Sequence, residues 1–230
     1  MSASLKIFWD IDGTLLSTGG RGFPYFFSAI KDIFEVQGSH QDFSIMHGLT
    51  DFEAIGQILQ MPVHQIPKQK LQTCIELYEQ RVSDVFKIDP PNVLPEILNS
   101  LNAINPNSNW TQTIGTGNSF GGAKVKLSTA GLLRFFDANQ IFCSSLTALT
   151  RIEVIENCKE SLRPGEMGVI IGDTPIDVKC AKEVGMKCIA VPSGAYDADT
   201  LRLCGAEVTF SLGWKAQDLM ESIKTLTQGA

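Results

Sequence analysis

Short apolar runs alternate with helix-periodic stretches along the second half of the chain. Residues 5–9, Leu-Lys-Ile-Phe-Trp, form a β-rich run that stops at Asp10-Ile11-Asp12-Gly13-Thr14, the pattern of a buried strand opening into a loop. From about residue 109 onward, strand candidates fall at 110–115, 140–143, 168–171, 187–191 and 207–210. Helix candidates lie between and after them at 122–130, 151–161, 175–184, 199–204 and 216–227. In the second of these helices Ile152, Ile155 and Cys158 recur along one face. The third has Pro175 in its first turn and Gly185 just past its end, the expected start and stop signals. This alternation predicts an α/β fold, a Rossmann-like parallel sheet with helices on both faces. Ligands in such sheets bind beyond the carboxyl ends of the strands, near the switch in strand order.

The pattern changes between Thr18 and about Pro90. Gly19-Gly20-Arg21-Gly22 leads into helix-like residues 25–34, followed by 51–59 and 68–85. In the last of these Leu71, Cys74, Ile75, Tyr78, Val82 and Val85 recur at helical spacing, and Pro67 stands at its start. With no strand signal among them, residues 18–90 are expected to form an all-helical insertion. It leaves a core made of residues 1–17 and 91–230 near 17–22 and returns to it at Asp89-Pro90-Pro91.

Composition narrows the partners. The 230 residues carry 19 Lys plus Arg against 25 Asp plus Glu, a net charge of −6, which disfavours a polyanion scaffold and argues against nucleic acid as a partner. Six cysteines are scattered with no Cys-x-x-Cys pair, so neither a disulfide framework nor a zinc site is expected. No apolar run reaches the roughly 18 residues that span a bilayer, and the first residues lack a basic segment followed by an apolar one. The expectation is a cytoplasmic protein with no membrane partner. Nothing in the sequence fixes an oligomeric state.

Two acidic clusters carry the chemistry. Asp10 and Asp12 are released from an apolar strand into a glycine-containing turn, and a bound cation would relieve their mutual repulsion. The alternative is that they cap the following segment. Far away in sequence, Gly172-Asp173-Thr174-Pro175-Ile176-Asp177 repeats the strand, turn and helix arrangement, with its two acids four residues apart. Taken alone, Asp173 and Asp177 read as a capping residue and a first-turn acid. Together the clusters place acids at two strand ends of one sheet.

These motifs resemble those of the haloacid dehalogenase superfamily, specifically the phosphoglycolate-phosphatase-like hydrolases with a helical cap. Asp10-Ile11-Asp12-Gly13-Thr14 matches the first motif, Thr116 the second, and Gly172 to Asp177 the fourth, across essentially the whole chain. The resemblance implies a Mg²⁺-dependent phosphatase for a small phosphorylated metabolite, phosphoglycolate or a sugar phosphate. Asp10 would be the nucleophile that forms an aspartyl-phosphate, and Asp12 the general acid. Asp10, the backbone carbonyl of Asp12 and Asp173 would ligate Mg²⁺, with Asp177 orienting the metal shell. Thr116, Gly117 and Asn118 would hold phosphoryl oxygens. The family's third motif usually shows Lys, often followed by Pro. No such pair occurs here, and Arg151 is the candidate substitute, with Lys124 and Arg163 as rivals.

His47-Gly48-Leu49-Thr50-Asp51 resembles a cap segment that reaches toward the active site, which makes Thr50 and Asp51 candidate substrate residues. The other reading is a turn with a helix N-cap. His40, His47 and His64 lack metal-ligand spacing, and Phe23, Tyr25, Phe26 and Phe27 read as packing within the cap. A phosphomutase of the β-phosphoglucomutase type shares the core motifs, and a non-catalytic metabolite-binding protein on the same fold is the alternative from another class.

Overall fold

In the computed structural model the described residues are 4–37, 46–105 and 109–228. Six strands pair in parallel in the order β5-β4-β1-β6-β7-β8: β1 (Leu5–Trp9), β4 (Trp110–Ser119), β5 (Ile141–Ser144), β6 (Met167–Gly172), β7 (Lys187–Ala190) and β8 (Val208–Thr209). The first strand is therefore central. Leu5 pairs with Trp110 on one side and Met167 on the other, and this register carries through to Trp9, level with Ile114 and Ile171.

All five residues of β1 are buried, as a strand covered on both faces requires. Side-chain alternation sends Leu5, Ile7 and Trp9 to one face, where they pack with α4 (Ile97–Ile104), α5 (Phe120–Thr129) and α9 (Ala216–Gln228). Phe8 points to the other face, among Ile155, Val178, Ala181 and Leu201 of α6 (Arg151–Glu160), α7 (Pro175–Glu183) and α8 (Ala198–Leu203). Lys6, on that face too, lays its ammonium over the rings of Phe8 and Phe142 and donates to Ser161.

The helical segment follows β2 (Leu16–Ser17), and the chain returns through β3 (Asn92–Val93). The two pair antiparallel, a two-stranded neck that the sequence pattern does not announce. Between them lie α1 (Phe23–Phe34), α2 (Asp51–Leu59) and α3 (Lys68–Ile88), with a 3-10 turn at Val63–Gln65. They bury their own apolar cluster, including Phe26, Ile30, Phe52, Ile55, Leu71, Tyr78 and Phe86. The third helix runs three residues past the expected end, so the stripe closes on Phe86, with Val85 only partly buried. Phe26 and Tyr78 meet edge to face at 5.0 Å.

Helix α4 and the 3-10 turn at Leu133–Phe135 are further additions to the expected elements. Strand β4 runs four residues beyond the expected 115, carrying Thr116 to Asn118 inside it. All six cysteines are free, four of them buried. Burial pushes the Cys74 and Cys158 thiols up to about 12, which keeps them protonated and inert. His40 lies outside the described residues.

Candidate active site

The carboxyl ends of β1, β4 and β6 open into one cavity of about 500 Å³, roofed by the helical segment. Asp10 follows β1 directly and Asp173 follows β6, so pairing of those two strands brings the acids together. Asp177 belongs to the first turn of α7, where Thr174 closes a capping box: its hydroxyl accepts from the Asp177 amide, while Asp177 Oδ2 accepts from the Thr174 amide and hydroxyl. Asp10, Asp173 and Asp177 then each offer a carboxylate oxygen within 4.8 Å of the others.

Close approach of the backbone makes room for Asp173. A Cβ on Gly194 would stand 1.7 Å from its Oδ2, and one on Gly13, whose φ is +78°, would stand 2.3 Å away. Thr14 donates to Asp173 Oδ1 at 3.1 Å.

Among the described residues, one cation is bonded to this cluster. Arg151 opens α6 and is 2 % exposed. Its Nη2 donates to Asp177 Oδ1 at 2.6 Å, to Asp10 Oδ1 at 3.2 Å and to the Gly115 carbonyl at 3.0 Å, while Nε donates to Asp177 Oδ1 at 3.0 Å. Nη1 is buried and has no partner among the described residues. The sequence rivals fall away, since Lys124 and Arg163 are both exposed.

Three carboxylates against one guanidinium leave the cluster short of positive charge. Burial pushes the Asp10 carboxyl from the ordinary carboxylate range to about 7; Arg151 pulls it back only in part, while Asp177 and Asp12 push it further. Burial, and then the charges of Asp10 and Asp177, hold Asp173 well above its ordinary range. Hard oxygen donors that are underneutralised in this way suit a small divalent cation. Asp177 has both oxygens engaged, so it fits the orienting place rather than that of a direct ligand.

The chain matches the family model for haloacid dehalogenase-like hydrolases over residues 7–191. It belongs to that family. Among curated proteins it is 26% identical over 212 residues to a probable phosphatase, IndB, of Dickeya dadantii (strain 3937), covering 89% of this chain and 90% of that one. Among solved structures it resembles a HAD hydrolase of family IA, variant 3, from Entamoeba histolytica (TM-score 0.71, 18% identity, 99% of this chain and 100% of that one). It also resembles CbbY from Rhodobacter sphaeroides in complex with xylulose-(1,5)bisphosphate (TM-score 0.66, 12% identity, 90% and 93% covered).

In this haloacid dehalogenase-like chain the remaining expected residues divide. Asp12, Gly117 and Asn118 line the cavity. Thr116 is fully buried beside it, where its hydroxyl accepts from the Asn118 backbone amide at 3.3 Å and side-chain amide at 2.8 Å and lowers the pKa of the Asp10 carboxyl slightly. Thr50 is the N-cap of α2 and donates to the Leu149 carbonyl, which bears out the capping reading, although the residue also borders the cavity. Asp51 accepts from the Ser119 amide at 2.7 Å.

Sequence reasoning missed Lys126. It is 6 % exposed and donates to Asp12 Oδ2 at 2.6 Å and to Asn118 Oδ1 at 2.5 Å, while Asn118 Nδ2 donates to the same Asp12 oxygen at 2.9 Å. Burial alone would lower its pKa, but the charges of Asp12 and Asp51 outweigh that and keep the ammonium charged. The available signal was its place beside Ala123 and Leu127, at i, i+3 and i+4 on the buried face of α5.

Proposed function

We propose that the chain is a Mg²⁺-dependent phosphatase that hydrolyses a small phosphorylated metabolite through an aspartyl-phosphate on Asp10. The observation that carries this reading is the buried convergence of Asp10, Asp173 and Asp177, with Arg151 bonded to the first and last of them and its Nη1 left without a partner among the described residues. The probable phosphatase among its relatives supports the same reading. Residues 18–90 act in it as the cap over the core formed by 1–17 and 91–230.

Asp10 and Asp173, with the Asp12 backbone carbonyl, would hold Mg²⁺, and Asp177 would orient the shell. The ion supplies charge neutralisation for the phosphoryl oxygens and lets Asp10 stay ionised. Arg151 adds the guanidinium that faces the phosphoryl group, and the Gly117 and Asn118 backbone borders its path. Asp10 attacks phosphorus in line, forming a P–O bond to its carboxylate as the ester oxygen departs. Asp12 protonates that oxygen and then takes a proton from the water that hydrolyses the intermediate. Its Oδ2 is fixed by Lys126 and Asn118, which leaves Oδ1 to serve the leaving group.

Replacing Asp10 by Asn removes the nucleophile while keeping its shape. Phosphate release from p-nitrophenyl phosphate with Mg²⁺ should vanish in this variant with the circular dichroism spectrum unchanged. Retained turnover would refute the assignment. Release to water, rather than transfer to a sugar phosphate acceptor, separates this reading from a mutase.

A further inference from the structure

We infer that the substrate is a monophosphate ester of an uncharged alcohol with a substantial apolar face, and that esters carrying a second anion, phosphoglycolate among them, are excluded. The inference rests on the phosphatase reading and names the leaving group that the cavity takes.

Three observations point the same way. The first is size. A cavity of about 500 Å³ holds roughly 17 water volumes at ~30 Å³ each, far more than a phosphoryl group and a two-carbon acid would fill. The second is the wall that the helical segment presents. Phe23, Phe26, Met46, Leu49, Ala54 and Tyr78 line it, aromatic and aliphatic surface facing the space beyond the phosphoryl site. Burial holds the Tyr78 phenol protonated, so it adds a neutral edge.

The third is charge. Among the described residues lining the cavity, Arg151 and Lys126 are the Lys and Arg side chains. Arg151 belongs to the acid cluster, bonded to Asp177 and Asp10 through Nη2. Lys126 is bonded to Asp12 at 2.6 Å, and Asp51 bears on it as a second carboxylate. Two carboxylates therefore answer one ammonium, and Asp51 lies on the wall itself. Among the described residues, a carboxylate or second phosphate on the leaving group would find no Lys or Arg free of a carboxylate partner, and it would share the cavity with Asp51. Among the described lining residues, the other basic side chain is His47, at the exposed rim against Tyr196. The bisphosphate held by the CbbY structure is, on this account, a ligand that the present wall would reject.

The test uses two esters of matched size that differ by one charge, 4-carbamoylphenyl phosphate and 4-carboxyphenyl phosphate. With Mg²⁺ and the wild-type protein, kcat/KM should favour the amide by at least about tenfold, since a like-charge contact in a partly desolvated site costs that much or more. Asp51→Asn should narrow the ratio by improving the acid. Equal or reversed preference would overturn the inference.

Calorimetric binding of both esters to the Asp10→Asn variant gives a readout independent of turnover. If no ester releases phosphate, the phosphatase reading falls, and binding decides the inference alone. Tighter binding of the amide supports it. Equal binding, or binding of neither ester, overturns it.

Discussion

Substituting Arg151 by Met removes the positive charge while keeping most of the side chain's bulk, and the structure sets the cost. Arg151 and Asp177 are 2 % and 1 % exposed at the side chain and are joined by bonds of 2.6 and 3.0 Å. At an effective dielectric of 20, charges about 4 Å apart interact by about 4 kcal/mol. Breaking a buried pair by removing one partner costs about 3–5 kcal/mol, because the other charge is left uncompensated. Asp10, bonded to the same guanidinium, loses its partner as well. At about 2–4 °C per kcal/mol for a chain of this size, the melting temperature should drop by about 10 °C. The loss should be larger at pH 8 than at pH 6, because the crowded carboxylates of the variant relieve their repulsion by taking up protons. Urea unfolding in EDTA at the two pH values measures it. Adding Asp177→Asn should recover part of the loss, since the second charge is then gone and Asn can still serve the Thr174 cap. A loss below about 1 kcal/mol, or a double variant no better than the single one, would refute the claim that the pair is electrostatically coupled in a dry site.

Three more outcomes follow from the same geometry. The folded Asp10 carboxyl is raised to about 7 from 3.8, so the proton-linked stability of the metal-free protein is fully present below pH 3.8 and is lost as pH rises through 7; stabilisation by Mg²⁺ in thermal melts should accordingly be greater at pH 8 than at pH 5.5. Gly194→Ala drives a Cβ to 1.7 Å from Asp173 Oδ2 and displaces that carboxylate, so Mg²⁺ affinity, read by calorimetry, should fall by about tenfold or more. Lys126→Met frees the Asp12 carboxylate to swing, and steady-state kinetics should show kcat lower by about 10- to 100-fold with KM little changed.

Most of the sheet was legible because it is buried on both faces. Predominantly apolar short runs such as 5–9 and 168–171 fit strands covered on both faces, and their ends were marked by Asp, Gly and Pro. The acids that converge were legible for the same reason, as each follows directly on such a strand or opens the helix after it. Short or unsupported elements were not. The neck pairs two residues with two, too few for a period. Helix α4 opens from Glu96 at φ +63° with no side-chain cap, and at eight residues its apolar stripe of Ile97, Leu101 and Ile104 is short, so no start signal marks it. Lys126 was hidden because a lysine on a helix is ordinarily read as solvated; its ion-pair partner Asp12 lies 114 residues away.

Residues of the helical segment also complete the core helices that bring the two cations. The N-terminus of α5 has no side-chain cap of its own. Its Ser119 amide donates to Asp51 at 2.7 Å and its Gly121 amide to Glu79 at 2.8 Å, both acids from the inserted helices. A Cβ at position 121 would stand 2.4 Å from the Glu79 carboxylate, which explains a glycine in the first turn of that helix. At α6, Glu53 accepts from the Arg151 amide at 3.0 Å while closing its own capping box with Thr50. Three acids thus satisfy donors at the positive ends of two helices, each contact worth about 0.3–1 kcal/mol. Because α5 carries Lys126 and α6 carries Arg151, the contacts that seat the roof also fix the helices that aim both cations. The charge balance of the cavity and the position of its apolar wall are therefore set together.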